Sequence, residues 1–176
     1  MRRLNTIAIV IGMSVGLSGT ALAAQEIEMH EVSAEGVGDS IGTVTIEDTE
    51  YGLLLTPDLA GLDPGAHGFH VHENANCEPL EVNGQQSAAA AAGGHYSPDG
   101  TDFHGGPYGE GHLGDLPILM VDEEGAATTP ILAPRLKVSD LQNRALIVHE
   151  GGDTYFDNPT LGGGGPRIAC GTVGKQ

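Results

Sequence analysis

The chain has 176 residues and a formal net charge of -17, with 24 acidic residues against 7 lysines and arginines. That balance excludes nucleic acid and anionic lipid as partners held by a basic face, and it serves solubility. Two cysteines and eight histidines complete the chemically informative inventory.

Met1 to about Ala23 reads as a secretory signal peptide. Arg2 and Arg3 form its positive start, Ile7 to Leu17 its apolar stretch, and Ala21-Leu22-Ala23 its cleavage site. The stretch is broken by Gly12, Ser14 and Gly16 and falls well short of the ~20 residues a membrane span needs, so the mature chain is expected to carry no anchor. Cleavage leaves 153 residues, 24–176, one domain's worth. No acidic residue precedes Glu26, so the loss of two arginines takes the charge to -19. In an exported chain the even pair Cys77 and Cys170 reads as a disulfide. Closing a loop of about 93 residues is worth ~4 kcal/mol in the chain-entropy picture.

The elements are β throughout. Glu26 to His30 and Thr43 to Glu47 alternate apolar and polar residues. Further short runs cover Tyr51 to Thr56, Gly68 to Glu73, Pro117 to Asp122, Thr128 to Ala133, Ala145 to His149 and Arg167 to Val173. Eight short strands without an amphipathic helix predict an all-β antiparallel barrel or sandwich. Two stretches lack core periodicity, about Asn74 to Leu116 and about Glu150 to Pro166. Loops of that length in a small domain are commonly functional. Ala88 to Ala92 supports a helical turn at most. Gly162 to Gly165 reads as a hinge, because no strand-then-helix context makes it a phosphate loop.

Six of the eight histidines fall in or beside those loops. His70 and His72 are two apart on a strand, so both rings face one side, ~7 Å apart, while Phe69 and Val71 face the core. His149 ends another strand and can join them. Imidazoles without sulfur ligands suit copper(II) or zinc. His95, His104, His112 and Asp115 lie in a Gly- and Pro-rich loop, and three imidazoles with one carboxylate make a closed set of the structural-zinc type. An imidazole has two ring nitrogens, so His95 is placed to bridge the two groups. His30, near the mature N-terminus among glutamates, has no converging partners and reads as exposed.

The motifs GFHVHE, AGGHYSP, HGGPYGEGHLGDLP, IVHEGGD and GGGGPRIACG resemble those of the copper/zinc superoxide dismutases, in their exported bacterial branch, over about Glu26 to Val173. The resemblance implies an eight-stranded Greek-key β-barrel with two long functional loops. It implies copper on His70, His72 and His149, a bridging His95, and zinc on His95, His104, His112 and Asp115. Cys77 would pair with Cys170. Arg167 would position the superoxide anion beside copper, and its permanently charged, planar donors suit that role. Asp153 would tie copper and zinc histidines together through hydrogen bonds, and His67 would link loops structurally. The implied reaction is disproportionation of superoxide to oxygen and hydrogen peroxide, in the periplasm. Exported members occur as monomers and as homodimers. A rival of the same fold, a copper-handling module without turnover, would be expected to lose Arg167 or a copper histidine, and this chain keeps them. One departure concerns charge. Many relatives place lysines near the channel, whereas Glu78 to Gln86 here has none and carries Glu78 and Glu81. A rate that is flat or rising with salt is the expectation.

Overall fold

The protein's structure is a computed structural model that describes residues 24–174. The segment read as a signal peptide, 1–23, lies outside the described residues. The strands are β1 (Gln25–Ser33), β2 (Gly36–Thr49), β3 (Gly52–Leu59), β4 (Gly65–His67), β5 (Phe69–His72), β6 (Leu80–Val82), β7 (Gln85–Ser87), β8 (Leu119–Val121), β9 (Ile131–Ala133), β10 (Arg144–His149) and β11 (Arg167–Val173). Three short 3-10 turns are the described helical elements.

Seven strands form one antiparallel sheet in the order β5-β10-β11-β1-β2-β3-β9. β4 pairs with β8 separately. Only Gly68 separates β4 from β5, so Gly65 to His72 is one strand broken at a glycine. Counting it once restores eight barrel strands, and the non-consecutive order is the Greek-key arrangement expected. At the open end, Leu59 exchanges two backbone hydrogen bonds with Ala127, at 3.1 and 3.0 Å.

Alternation decides which side chains face inward. Ile27 and Met29 of β1, Val44 and Ile46 of β2, Leu53 and Leu55 of β3, Phe69 and Val71 of β5, and Leu146 and Val148 of β10 share one buried cluster. Burying each of the larger ones contributes about 1.5–3 kcal/mol. Leu146→Ala, at a site with no exposed surface, would cost about 2–5 kcal/mol. A second cluster lies on the other face of β10 and β11: Ala145, Ile147 and Cys170, with Val32, Ala89 and Ala92. The long loop after β5 covers this face, stapled by the Cys77–Cys170 disulfide across 93 residues.

Two expected runs shorten. Pro117 and Pro130 lack the amide donor a ladder needs, so β8 starts at Leu119 and β9 at Ile131. One hairpin escaped the sequence reading. β6 and β7 pair across Asn83-Gly84, both with positive φ, 52° and 82°. An Asn-Gly pair is a strong two-residue hairpin signal, but both flanks are three residues long and exposed, and Gln85 to Ser87 carries no apolar residue to answer Leu80 and Val82.

Candidate metal centre

β5 turns Phe69 and Val71 into the barrel and His70 and His72 to its outer side. His72 stands opposite Ala145 and His70 opposite Ile147 on β10. The first long loop then folds back along β5. Tyr96 N donates to Val71 O at 2.8 Å, and Val71 N donates to Gly114 O at 2.9 Å. These bonds bring His95 beside His72 and Asp115 beside His70. His70, His72, His95 and His149 lie with donor atoms within 4.8 Å of one another, as do His70, His95, His104 and Asp115. All are buried.

Acceptor-only oxygens fix the ring tautomers. His70 Nε2 donates to Asp153 Oδ2 at 2.7 Å, and His104 Nε2 donates to Asp153 Oδ1 at 2.8 Å. His72 Nδ1 donates to Gly93 O at 3.0 Å, and His149 Nδ1 to Gly165 O at 3.1 Å. The opposite nitrogen of the His70, His72 and His149 rings is left free. His70 Nδ1, His72 Nε2 and His149 Nε2 are buried and have no hydrogen-bond partner, whereas His104 Nδ1 and His112 Nδ1 face the Asp115 carboxylate. Buried polar atoms without partners are costly, and three of them gathered beside His95 suit a metal ion.

Asp115 is held similarly. Its Oδ2 accepts from Gly105 N at 3.0 Å. Its Oδ1 faces His95 Nδ1 at 2.9 Å, His104 Nδ1 at 3.0 Å and His112 Nδ1 at 3.3 Å. A tetrahedron with ~2.0–2.1 Å bonds has edges of ~3.3 Å, so these separations fit one four-coordinate ion. His70 also reaches this second group, but Asp153 occupies its Nε2 and its free Nδ1 belongs with His72 and His149. His95 alone faces both ways. Its Nδ1 meets Asp115, and its ring also lines the cavity shared by His72, His149 and Arg167.

The protonation pattern follows. Burial, opposed by Asp153, takes His70 down to about 3. Burial, opposed by Gly165 O, takes His149 down to about 4. Burial likewise pushes His72 well down and lowers His95. These rings are neutral at pH 7 and ready to ligate. His104 is the exception. Burial works against its charge, but Asp115 and Asp153 overcome that and raise it to about 9. Burial works against the two carboxylates also, yet hydrogen bonds from His104 and its neighbours hold both well below the usual range.

Arg167 reaches the cavity through an irregularity. Arg167 is three residues before Cys170, so simple alternation would put them on opposite faces. The β10–β11 register shifts between Val148 and His149, leaving Ile168 unpaired and setting Arg167 opposite His149. Arg167 Nη1 donates to Ala89 O and Nη2 to Gly93 O, both at 2.6 Å. Nothing in the residue pattern announced this bulge.

Asp153, rather than the nearby Asp157, joins the two histidine groups. Asp157 instead holds the loop of the second histidine group by its main chain, its Oδ2 accepting from His104 N at 2.9 Å. Sequence reading also missed Glu73, whose Oε2 accepts from Gly94 N at 3.0 Å. His67 is buried between Asp63 O and His149 O, at 2.8 and 2.7 Å, and links loops as expected. His30 approaches Gly38 O at 3.3 Å and Glu28 Oε2 at 3.7 Å, and takes no part in the centre.

A Greek-key barrel carrying two adjoining histidine groups on its outer face defines a two-metal β-barrel protein. The family model described as copper/zinc superoxide dismutase matches residues 40–173. Cu-Zn superoxide dismutase 2 of Salmonella typhimurium is 48% identical over 175 residues, 98% of this chain and 99% of that protein. The Cu-Zn superoxide dismutase of Escherichia coli is 50% identical over 158 residues, 89% of this chain and 91% of that one. Among solved structures, the Cu/Zn superoxide dismutase from Brucella abortus superposes with a TM-score of 0.84 at 45% identity, covering 86% of this chain and 99% of that chain. The monomeric copper, zinc enzyme from Salmonella enterica gives a TM-score of 0.78 at 53% identity, covering 86% and 99%. The chain belongs to the copper/zinc superoxide dismutase family. It is an enzyme of that family, whose cofactors are copper and zinc.

Proposed function

We propose that the chain, exported to the periplasm and cleaved near Ala23, disproportionates superoxide with His70, His72, His95 and His149 holding copper. His95, His104, His112 and Asp115 would hold zinc, with His95 shared. The observation that carries this reading is the convergence of three partnerless ring nitrogens, on His70, His72 and His149, beside His95, next to a second histidine group that gathers on Asp115. Copper bound there supplies one-electron exchange: one superoxide gives up its electron as oxygen, and a second takes it up with two protons as peroxide.

The protein's own groups do the rest. Gly93 O and Gly165 O hold the His72 and His149 rings so that Nε2 points inward. Asp153 fixes His70 and His104 together, so neither ring turns without the other. Zinc ligation would hold Nδ1 of His95 and leave Nε2 for the copper side. Arg167 carries the fixed positive charge on the cavity wall. Two of its donors are anchored on carbonyls, which spares the anion the cost of ordering the side chain.

The test is superoxide decay by pulse radiolysis on protein loaded with one copper and one zinc, with Arg167→Ala alongside. Rapid decay, reduced in the variant, supports the reading. Stoichiometric metal without turnover would make the protein a copper-handling module.

A further inference from the structure

Arg135 lies outside both histidine groups, yet its guanidinium is committed to the loop that carries three of their residues. Nε donates to Pro107 O, Nη1 to Gly111 O and Nη2 to Gly106 O, each at 3.1 Å. Nη2 also donates to His112 O at 2.6 Å. Among the described residues Arg135 makes no ion pair, so its hydrogen-bonding capacity is directed at four backbone carbonyls.

The loop needs such an anchor. Residues 105–114 include five glycines, which lose more chain entropy on ordering than any other residue. Gly105 and Gly111 approach so closely that a Cβ on either would collide with the other's backbone. The turn is therefore narrow, and its carbonyls gather on one side. Arg135 itself stands on the barrel. Ala133 and Leu136 on either side of it are buried in the main core, and Leu136 N closes a turn onto Ala133 O at 3.3 Å.

From this geometry we propose that Arg135 is a positioning residue for the zinc group: it presets the loop 105–112 so that His104, His112 and Asp115 meet before the ion arrives. The inference rests on the ligand assignment above. Residues supporting metal ligands from behind typically cost about 10- to 100-fold in metal affinity when removed. A planar fork of five donors suits four carbonyls, and a lysine ammonium with three donors does not.

The experiment uses the mature, disulfide-intact protein and its variants Arg135→Ala, Arg135→Lys and His112→Ala. Zinc and copper affinities are measured separately by chelator competition. Cobalt(II) placed in the zinc site reports the site's shape through its visible spectrum. The expected result is zinc affinity lowered about 10- to 100-fold in Arg135→Ala, with a changed cobalt spectrum and unchanged copper affinity. Arg135→Lys should fall between Arg135→Ala and the unaltered protein. Unchanged zinc affinity and cobalt spectrum in both Arg135 variants would overturn the proposal. So would equal losses of zinc and copper, which would indicate a general loosening. If Arg135→Ala does not fold, Arg135→Lys decides by the same criteria, and failure of both to fold would make Arg135 a residue of the fold rather than of the site. If His112→Ala binds zinc as the unaltered protein does, the ligand assignment fails, whatever Arg135 does.

Discussion

Gly93 O accepts hydrogen bonds from both His72 Nδ1 and Arg167 Nη2, at 3.0 and 2.6 Å. One carbonyl thus sets the ring of a proposed copper ligand and the direction of the proposed anion guide. Arg167→Ala should lower kcat/KM about ten- to a hundredfold, the scale of a lost charge-assisted contact. Because Gly93 also loses a donor, the copper spectrum should shift modestly at full metal content. Pulse radiolysis with metal analysis checks this. Unchanged kcat/KM would remove Arg167 from the reaction.

Asp153 gives a second expectation. Its two oxygens hold His70 and His104 in different groups. Asp153→Asn keeps one acceptor and turns the other into a donor. Copper and zinc affinities should both fall, about 10- to 100-fold. A chelator titration showing loss at one metal only would break the proposed link.

The metal-free protein should have a stability maximum near neutral pH. In the fold His70 and His149 take up protons only near about 3 and about 4, whereas unfolded histidines do so near 6.5. Acid below 6.5 therefore favours the unfolded chain. Asp115 and Asp153 add to this below their ordinary range, since their depressed values stabilise the fold only while they are ionised. His104 acts oppositely: raised to about 9, its contribution is full below 6.5 and is lost as pH rises through 9. Tm measured by calorimetry in excess chelator should fall on both sides, more steeply in acid. A steady rise from pH 6.5 to 9 would contradict the His104 environment.

Long-range charge opposes the substrate. The chain's net charge is -17, and the segment between His72 and His95 carries Glu73, Glu78 and Glu81 and no lysine or arginine. The described cations are Arg135, Lys137, Arg144 and Arg167, and each arginine is bound to loop carbonyls. Added salt screens the repulsive field, so the catalytic rate should stay flat or rise between low and moderate ionic strength. A steep fall would show that local attraction dominates.

Much of this architecture was legible because period and ligand chemistry are local. His70 and His72 are two apart between Phe69 and Val71, and that spacing alone assigns their faces. What was not legible depends on distant partners. The Ile168 bulge exists because of how β10 meets β11. Arg135 has no motif, and its role appears only once the glycine loop lies over the β9 end. The β6–β7 hairpin did have a local signal in Asn83-Gly84, but it lacks the buried face by which strands are recognised.

The five alanines from Ala88 to Ala92, uninformative as letters, turn out to act through their main chain. Ala89 O receives Arg167, Ala91 O receives the Asn74 side chain at 3.2 Å, and Ala92 O receives Asn74 N at 2.9 Å. Ala89 and Ala92 fit beneath the disulfide with no exposed surface. An alanine scan would pass over this segment in silence. Its importance would emerge only from changes that redirect carbonyls, such as a proline or a one-residue deletion.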